Sequence, residues 1–197
     1  GLAADTINMF EIGAASIRTF IPRCSSEPFS FNFNEDILYN EFIQIANYLL
    51  DHPSKMYYNF GLFTFDNSEL LNEYYQLLLN NIPLFRCYLF DGRAYLNCNG
   101  DFVTCTAMTG NEHVWGNLYE LDKGISNKYN LYDCFTLKEC LSCESRVGCR
   151  RCIYQSKQKA GTFLRCEPET KRYADVMTRV LNYVFDMAKE RGYLIDK

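Results

Sequence analysis

The sequence predicts an α/β protein in three parts: strand–helix units in residues 1–85, a cysteine-rich domain in residues 86–166 and a closing helix in residues 167–197. Three observations support this division. Short apolar segments alternate with long amphipathic ones in the first part, nine of the ten cysteines lie between positions 87 and 166, and an apolar stripe with helical spacing lies near the end. A hydrophobic content of 48% in 197 residues is enough for a sizeable core.

Composition and charge restrict the expected partners and location. The formal net charge of −4 argues against general binding to nucleic acid. No apolar run approaches the roughly twenty residues that a membrane-spanning helix requires. No basic segment followed by an apolar one opens the chain, so no secretory signal is predicted. We therefore expect a cytoplasmic protein that binds neither nucleic acid nor membrane.

Residues 1–85 begin with one predicted strand and one predicted helix. The β-branched and aromatic segment Ala15–Pro22 predicts the strand. The segment 35–52 predicts the helix, with Asn34 as its N-cap and Pro53 after its end. Its apolar residues recur at intervals of three and four, and they are Leu38, Phe42, Ile45, Ala46 and Leu49.

The same pattern then repeats. A strand is predicted in "KMYYNFGLFTF" (55–65) and a helix in "DNSELLNEYYQLLLNN" (66–81), where Asp66 and Glu69 resemble a capping box. Strand, helix, strand, helix predicts βαβ units and a parallel sheet. Because two parallel strands alone cannot form a stable sheet buried on both faces, we expect these units to belong to a larger α/β barrel or sheet that other residues complete.

Residues 86–166 predict a hairpin followed by a cysteine-rich loop. The hairpin "AYLNCNGDFVTC" (94–105) alternates around Asn99-Gly100, the preferred pair for a type I′ turn, which would place Cys98 opposite Asp101. From Thr136 onward apolar residues are so few that metal binding is expected to supply folding energy.

The closing helix is predicted over residues 167–192, with Gly192 as its stop signal, and is expected to pack on the α/β part. Its apolar stripe consists of Tyr173, Val176, Met177, Val180, Val184 and Met187.

The cysteines indicate metal or cluster ligation in preference to a disulfide framework, because the first 86 residues carry one cysteine and the rest include two Cys-x2-Cys pairs. Only five residues separate these pairs, fewer than a zinc ribbon normally has, and the thiols are too many for one zinc. Basic side chains near the loop would offset the charge of a thiolate-ligated cluster, although a solvated surface explains them equally well. They are Arg146, Arg150, Arg151, Lys157 and Lys159.

A family resemblance follows from the whole cysteine pattern. Cys87, twelve residues, Gly100, four residues and Cys105 precede the run Cys140-x2-Cys143-x5-Cys149-x2-Cys152, and Cys166 comes last. This pattern resembles the SPASM domain, the auxiliary-cluster module of many radical S-adenosylmethionine enzymes, and so do the segments "NGDFVTC" and "GNEHVWGNLYE". The gap of two residues after Cys149 departs from the family, which usually has three there.

The resemblance implies that residues 1–85 are the last two strand–helix units of a partial TIM-like barrel, that residues 86–166 form a SPASM domain and that the chain holds two [4Fe–4S] clusters. By analogy with the family, the first cluster would be held by Cys87, Cys105 and Cys152. The second would be held by Cys140, Cys143, Cys149 and Cys166. An eighth thiolate is not assigned: Cys98 is a candidate, but a regular hairpin would place its Cα about 13 Å from that of Cys105. Cys24 and Cys134 are expected to be small buried or free thiols, and an open iron on the first cluster is the alternative.

Two features of the family are absent from this sequence. It contains no Cys-x3-Cys-x2-Cys motif, so S-adenosylmethionine and a third [4Fe–4S] cluster would come from an N-terminal barrel portion, in the same protein or in a separate chain. Where sulfatase maturases of the family carry a catalytic Asp, this chain has Thr106. This departure favours a peptide maturase that modifies a ribosomal peptide, and no catalytic residue is assigned.

Two other functions remain open from the sequence: a zinc-stabilised interaction module, and a ferredoxin-like electron-transfer subunit without radical chemistry. His52 and His113 are expected to be surface or capping residues. Trp115 is expected in a core or an interface, and Arg18 either faces an active site or forms a structural ion pair.

Overall fold

The computed structural model describes residues 1–17, 33–53, 57–58, 68–84, 95–103, 114–123, 138–149, 166 and 168–194. Their contacts divide the chain into two units. Unit 1 comprises Gly1–Phe85, Glu144–Cys149 and Pro168–Lys197, and unit 2 comprises Arg86–Cys143 and Arg150–Glu167. The predicted domain boundary at 85/86 coincides with a unit boundary, and the predicted one at 166/167 lies one residue before the unit boundary at 167/168. The assignment of Glu144–Cys149 to unit 1 was not predicted.

Unit 1 contains a βαβ arrangement. Strand β1 (Ser16–Ile17) and strand β2 (Tyr57–Tyr58) are parallel, with Ser16 opposite Tyr57 and Ile17 opposite Tyr58. Helix α2 (Glu35–Asp51) connects them along the chain. The parallel pairing agrees with the order expected from the sequence, whereas Arg18, Asp66 and most of the two predicted strand segments lie outside the described residues.

Helix α2 forms where the periodicity predicts it. The side-chain oxygen of Asn34 accepts hydrogen bonds from the backbone N–H groups of Asp36 and Ile37, each at 3.0 Å, and satisfies donors that the first turn leaves without partners. All five residues of the predicted stripe are buried. The predicted cap and the predicted buried face are therefore both confirmed.

Helix α5 (Pro168–Glu190) packs against α2 and runs in the same direction. Arg172 forms an ion pair with Glu35 at the start of α2, and Arg191 forms one with Asp51 at its end. The predicted stripe faces this contact: five of its six residues are buried, and Met187 packs partly buried beside them. Gly192 ends the helix with a positive φ of 74°, so the predicted stop signal is confirmed.

Two further helices complete unit 1. Helix α3 (Ser68–Leu79) lies within the second predicted helical segment and contacts α5. Helix α1 (Leu2–Glu11) packs on α2 through Phe10, and the sequence analysis did not identify it. Its buried positions are Ala3, Thr6 and Phe10, and this mixture of small, polar and aromatic residues does not produce an apolar periodicity.

Unit 2 contains an antiparallel sheet in the order β3-β4-β5, formed by Tyr95–Leu96, Asp101–Val103 and Val114–Asn117. Two short 3₁₀ turns follow within Leu118–Lys123, and Lys138–Leu141 forms one turn of helix, α4. The hairpin predicted between β3 and β4 is therefore present.

The type I′ turn predicted for this hairpin is wrong. Tyr95 lies opposite Val103 and Leu96 opposite Phe102, and Asn97, not Cys98, donates its N–H to the Asp101 carbonyl at 3.0 Å. The loop has three residues, and of Asn99 and Gly100 only Gly100 has a positive φ, of 79°. The side-chain oxygen of Asn97 accepts the N–H groups of Asn99 and Asp101, each at 2.9 Å, and so stabilises the longer loop.

None of the helices in the described residues is both long enough and apolar enough to cross a bilayer.

Candidate metal centre

Cys140 and Cys143 lie in a single turn of unit 2. Cys140 is in the short helix α4, and the N–H of Cys143 donates to the Cys140 carbonyl at 3.3 Å. This bond spans three residues, the spacing at which side chains lie on the same side of a turn. Cys140 is only 9% exposed and Cys143 is half-buried. The turn therefore contains one buried and one half-buried cysteine at the spacing that zinc and iron–sulfur proteins use.

The segment after this turn, Glu144–Cys149, is anchored in unit 1 through Val147. Val147 is 2% exposed and belongs to the core of that unit. Its N–H donates to the side-chain oxygen of Asn81 at 3.0 Å, and its carbonyl accepts the N–H of Leu84 at 3.1 Å. A buried apolar side chain with both backbone groups bonded holds this short segment in one position.

Asn81 is placed for this contact by the end of α3. It adopts a positive φ of 49°, and its N–H donates to the Leu78 carbonyl at 3.0 Å. Asparagine tolerates this left-handed conformation better than most residues and often ends a helix. Its side chain then carries the acceptor that the Val147 N–H requires.

The same segment also meets helix α5. Ser145 donates a hydrogen bond to Asp175. At Gly148, an added Cβ would lie 2.6 Å from the backbone nitrogen of Thr178 and 2.7 Å from the carbonyl oxygen of Ala174. Only glycine permits this close approach of two backbones.

Cys149 and Arg146 form the last turn of the segment. The N–H of Cys149 donates to the Arg146 carbonyl at 3.1 Å, and the cysteine is half-buried. The Nε atom of Arg146 is buried and has no hydrogen-bond partner among the described residues. A buried donor without an acceptor is energetically costly, although Arg146 as a whole is only half-buried.

The remaining predicted ligands lie elsewhere or outside the described residues. Cys166 is half-buried, two residues before α5 begins. Cys98 is exposed at the hairpin loop, where its sulfur lies 3.8 Å from the side-chain oxygen of Asn99. The other cysteines lie outside the described residues, and they are Cys24, Cys87, Cys105, Cys134 and Cys152.

The four residues predicted to hold the second cluster are all described, and they are divided between the units. Cys140, Cys143 and Cys166 belong to unit 2, whereas Cys149 belongs to unit 1. Within the described ranges, no group of three or more Cys, His, Asp or Glu side chains is arranged to hold a metal ion. The structure brings together Cys140 and Cys143 in one turn, and it brings the backbones of Arg146 and Cys149 together in another.

The donor set nevertheless fits a thiolate-ligated cluster. Sulfur donors in a Cys-x2-Cys turn select soft metals and iron–sulfur clusters. Two thiolates on one turn suit zinc equally well, so this turn does not distinguish zinc from an iron–sulfur cluster.

His52 is the histidine that lies within the described residues, and its contacts are with the end of α2. His52 follows α2, where its ring stacks on Tyr48 with 4.3 Å between ring centroids and its Nδ1 lies 2.8 Å from the Tyr48 carbonyl oxygen. The expectation that His52 is a capping residue is therefore confirmed. His113 and Thr106 lie outside the described residues, and the side chain of Trp115 is not described.

Sequence reasoning missed the residues that anchor the cysteine loop, namely Asn81, Ser145, Val147, Gly148 and Asp175. Two weak signals pointed to them: an apolar residue beside a glycine inside a polar loop, and an asparagine just after a helix.

Comparisons with known proteins add no family assignment. No protein-family model matches the chain, and neither the curated proteins nor the solved structures contain a significant match to it.

Proposed function

We propose that this chain is the auxiliary-cluster portion of a radical S-adenosylmethionine enzyme of the SPASM type, which modifies a peptide or protein substrate. The observation that carries the proposal is the turn that holds buried Cys140 and half-buried Cys143, inside the seven-cysteine pattern.

The cysteines of this chain would hold two [4Fe–4S] clusters, and the clusters would bind substrate or transfer electrons. Cys87, Cys105 and Cys152 would ligate the first, and the rest of the pattern the second. The chain's own contribution would be to hold the clusters through its cysteine sulfurs and to limit their contact with water; the low exposure of Cys140 supports this.

Unit 1 would adjoin the remainder of a partial TIM-like barrel. Two features support this: the parallel β1–β2 pair, and the helices α2 and α5 packed in the same direction, as neighbouring helices of an α/β layer are. The barrel portion, in the same protein or in another chain, would supply the S-adenosylmethionine site and a third [4Fe–4S] cluster. The expected setting is the cytoplasm, where such oxygen-sensitive clusters are maintained.

The test is a cysteine series in the full chain, purified and reconstituted without oxygen and assayed for iron and sulfide. Cys140→Ser and Cys143→Ser should each lose about half of the iron, whereas Cys98→Ser should retain it, because Cys98 lies in an exposed loop. Equal iron in Cys140→Ser and wild type would contradict the proposed site.

The same protein separates the alternative functions. Zinc without iron or sulfide would indicate an interaction module stabilised by metal. Two reversible one-electron steps, with no activity towards a peptide when the barrel portion and S-adenosylmethionine are supplied, would indicate a ferredoxin-like subunit.

A further inference from the structure

We infer that the Asn99–Gly100 pair in the hairpin loop of unit 2 is a site of spontaneous deamidation, and that Asn97 slows the reaction by holding the loop closed. Asn99 is the asparagine of this chain that precedes a glycine. The inference is independent of the proposed function, because it concerns groups of the hairpin alone and requires no cluster.

The reaction needs water and no other reactant. The Gly100 nitrogen gives its proton to solvent and attacks the Cγ atom of Asn99, and the new N–Cγ bond closes a cyclic succinimide. The Cγ–Nδ2 bond breaks, and the amide nitrogen takes a proton from solvent and leaves as ammonia. Water then opens the ring at Cγ to give aspartate, or at the main-chain carbonyl to give isoaspartate. Glycine favours the attack because no side chain shields its nitrogen.

The side chain of Asn99 is free to turn towards that nitrogen. Asn99 is exposed, and its side-chain contact among the described residues is at Oδ1, which lies 3.8 Å from the Cys98 sulfur. A thiol is a weak hydrogen-bond donor and holds the amide loosely. The amide carbon is therefore accessible both to the backbone nitrogen and to water.

The loop itself requires the glycine that makes Asn99 reactive. Gly100 has a positive φ of 79°, a conformation that residues with a side chain rarely adopt. An added Cβ would also lie 2.7 Å from the ring of Tyr119. The three-residue loop therefore keeps a reactive pair at its tip because its backbone conformation favours glycine.

Asn97 restrains the nitrogen that would attack. Its carbonyl accepts the Gly100 N–H at 3.1 Å, so the proton that must leave is held in a hydrogen bond. Its side-chain oxygen accepts the N–H groups of Asn99 and Asp101, each at 2.9 Å. These bonds must open before the nitrogen can reach Cγ, so the rate should follow the fraction of molecules in which the loop is open.

The products would loosen the hairpin. Each replaces a neutral amide with a carboxylate close to Asp101, whose own carboxylate accepts amide N–H groups from Asn97 at 3.0 Å and Asn117 at 2.8 Å. Isoaspartate also adds a carbon atom to the backbone, so the side chain of Asn97 would no longer meet both N–H groups in the present geometry. Modified protein should therefore exchange the amide hydrogens of β3 and β4 faster than unmodified protein.

The experiment incubates the full chain, folded and in guanidinium chloride, beside a synthetic peptide of residues 94–103 in mildly alkaline buffer without oxygen. Proteolysis and mass spectrometry measure the products, and an isoaspartyl methyltransferase labels isoaspartate. Asn99 should react in the folded wild type, but more slowly than in the peptide or in the unfolded chain. Folded Asn97→Ala should react about tenfold faster than wild type, because two backbone N–H groups lose their acceptor.

Asn117 is the internal control. It lies in the same sheet, but Leu118 follows it, and a branched side chain there hinders the attacking nitrogen. Asn117 should remain unmodified in every folded sample. Asn99→Gln is the chemical control, since its longer side chain closes the corresponding ring far more slowly and should abolish the isoaspartate label in the hairpin.

The outcomes decide both parts of the inference. Reaction at Asn99 in the folded wild type, with a faster reaction in Asn97→Ala, supports it. Unmodified Asn99 in the folded wild type after the peptide has reacted completely would overturn it, and so would equal rates in wild type and Asn97→Ala. If Asn97→Ala does not fold, the folded and unfolded wild type are compared: a slower reaction in the folded chain supports the protection, and equal rates would overturn it.

Discussion

Gly148 shows how a single residue can determine the position of a loop. Its Cα lies so close to α5 that a methyl group would meet two backbone atoms, the Thr178 nitrogen and the Ala174 oxygen. Backbone atoms cannot rotate away as a flexible side chain can. The contact therefore places a strict size limit on this position, next to the candidate ligand Cys149.

Gly148→Ala should destabilise the protein by about 1–3 kcal/mol, the cost of overpacking a close contact. The measurement is urea unfolding of the full chain, followed by circular dichroism. The control is Glu144→Ala in the same segment. Because Glu144 is exposed, this change should alter the free energy of unfolding by no more than about 0.5 kcal/mol. A Gly148→Ala protein as stable as wild type would show that the segment does not pack against α5 in solution.

Tyr48 provides a second prediction for a single residue. Its hydroxyl donates to Glu11 Oε1 at 2.6 Å, and this hydrogen bond, followed by burial, raises the pKa of the phenol from 10.0 to about 12. Because the pKa is raised in the folded state, the bond contributes its full stability below pH 10 and loses it as the pH rises through about 12.

The titration of the phenol by ultraviolet absorbance tests this assignment. The difference between wild type and Tyr48→Phe should titrate near pH 12, and in Glu11→Gln the same component should move towards 10. A difference curve centred on the ordinary tyrosine value in wild type would mean that α1 does not reach Tyr48 in solution.

At the scale of elements, α2 and α5 form the main packing contact of unit 1. Their apolar stripes provide most of the buried core, and polar pairs at both ends set the alignment of the two helices. Exposed ion pairs contribute little free energy, so the apolar stripes provide the stability of this contact. The start of α2 depends in addition on the side chain of Asn34.

Asn34→Ala should lower the free energy of unfolding by about 1 kcal/mol, because two N–H groups of the first turn lose their acceptor. Asn34→Asp retains an acceptor at the positive end of the helix and should be as stable as wild type. Thermal unfolding of the three proteins is the measurement. Equal losses in both variants would indicate that the amide, and not the cap, matters at this position.

The hairpin of unit 2 illustrates the limit of local sequence rules. Asn99-Gly100 favours a two-residue turn, yet the side chain of Asn97 bonds two backbone N–H groups and selects a three-residue loop. A second network joins it, since Asn117 of β5 donates to the Asp101 carboxylate at 2.8 Å. The competing side chain, Asn97, lies outside the dipeptide, so the dipeptide alone could not reveal the longer loop.

Across the whole molecule, the sequence predicted the features that depend on the spacing of nearby residues. These features are the buried face and N-cap of α2, and the buried face and C-terminal glycine of α5. Helix α1 has a mixed buried face and was missed. The placement of Val147 in unit 1 depends on Asn81 and Leu84, more than sixty residues earlier in the chain, and such contacts leave no periodic signal. The cysteine spacing predicts a soft-metal site, and this stays a prediction: Cys140 and Cys143 share one turn, but no group of three or more ligand side chains comes together within the described residues.

The central claim is that the cysteine pattern holds two iron–sulfur clusters. Its most direct test is the iron, sulfide and zinc content of the full chain after anaerobic reconstitution, together with its visible absorption spectrum. Two cubanes predict about eight irons and as many sulfides per chain in a brown protein. A colourless protein with about two zincs, no iron and no sulfide would contradict the claim.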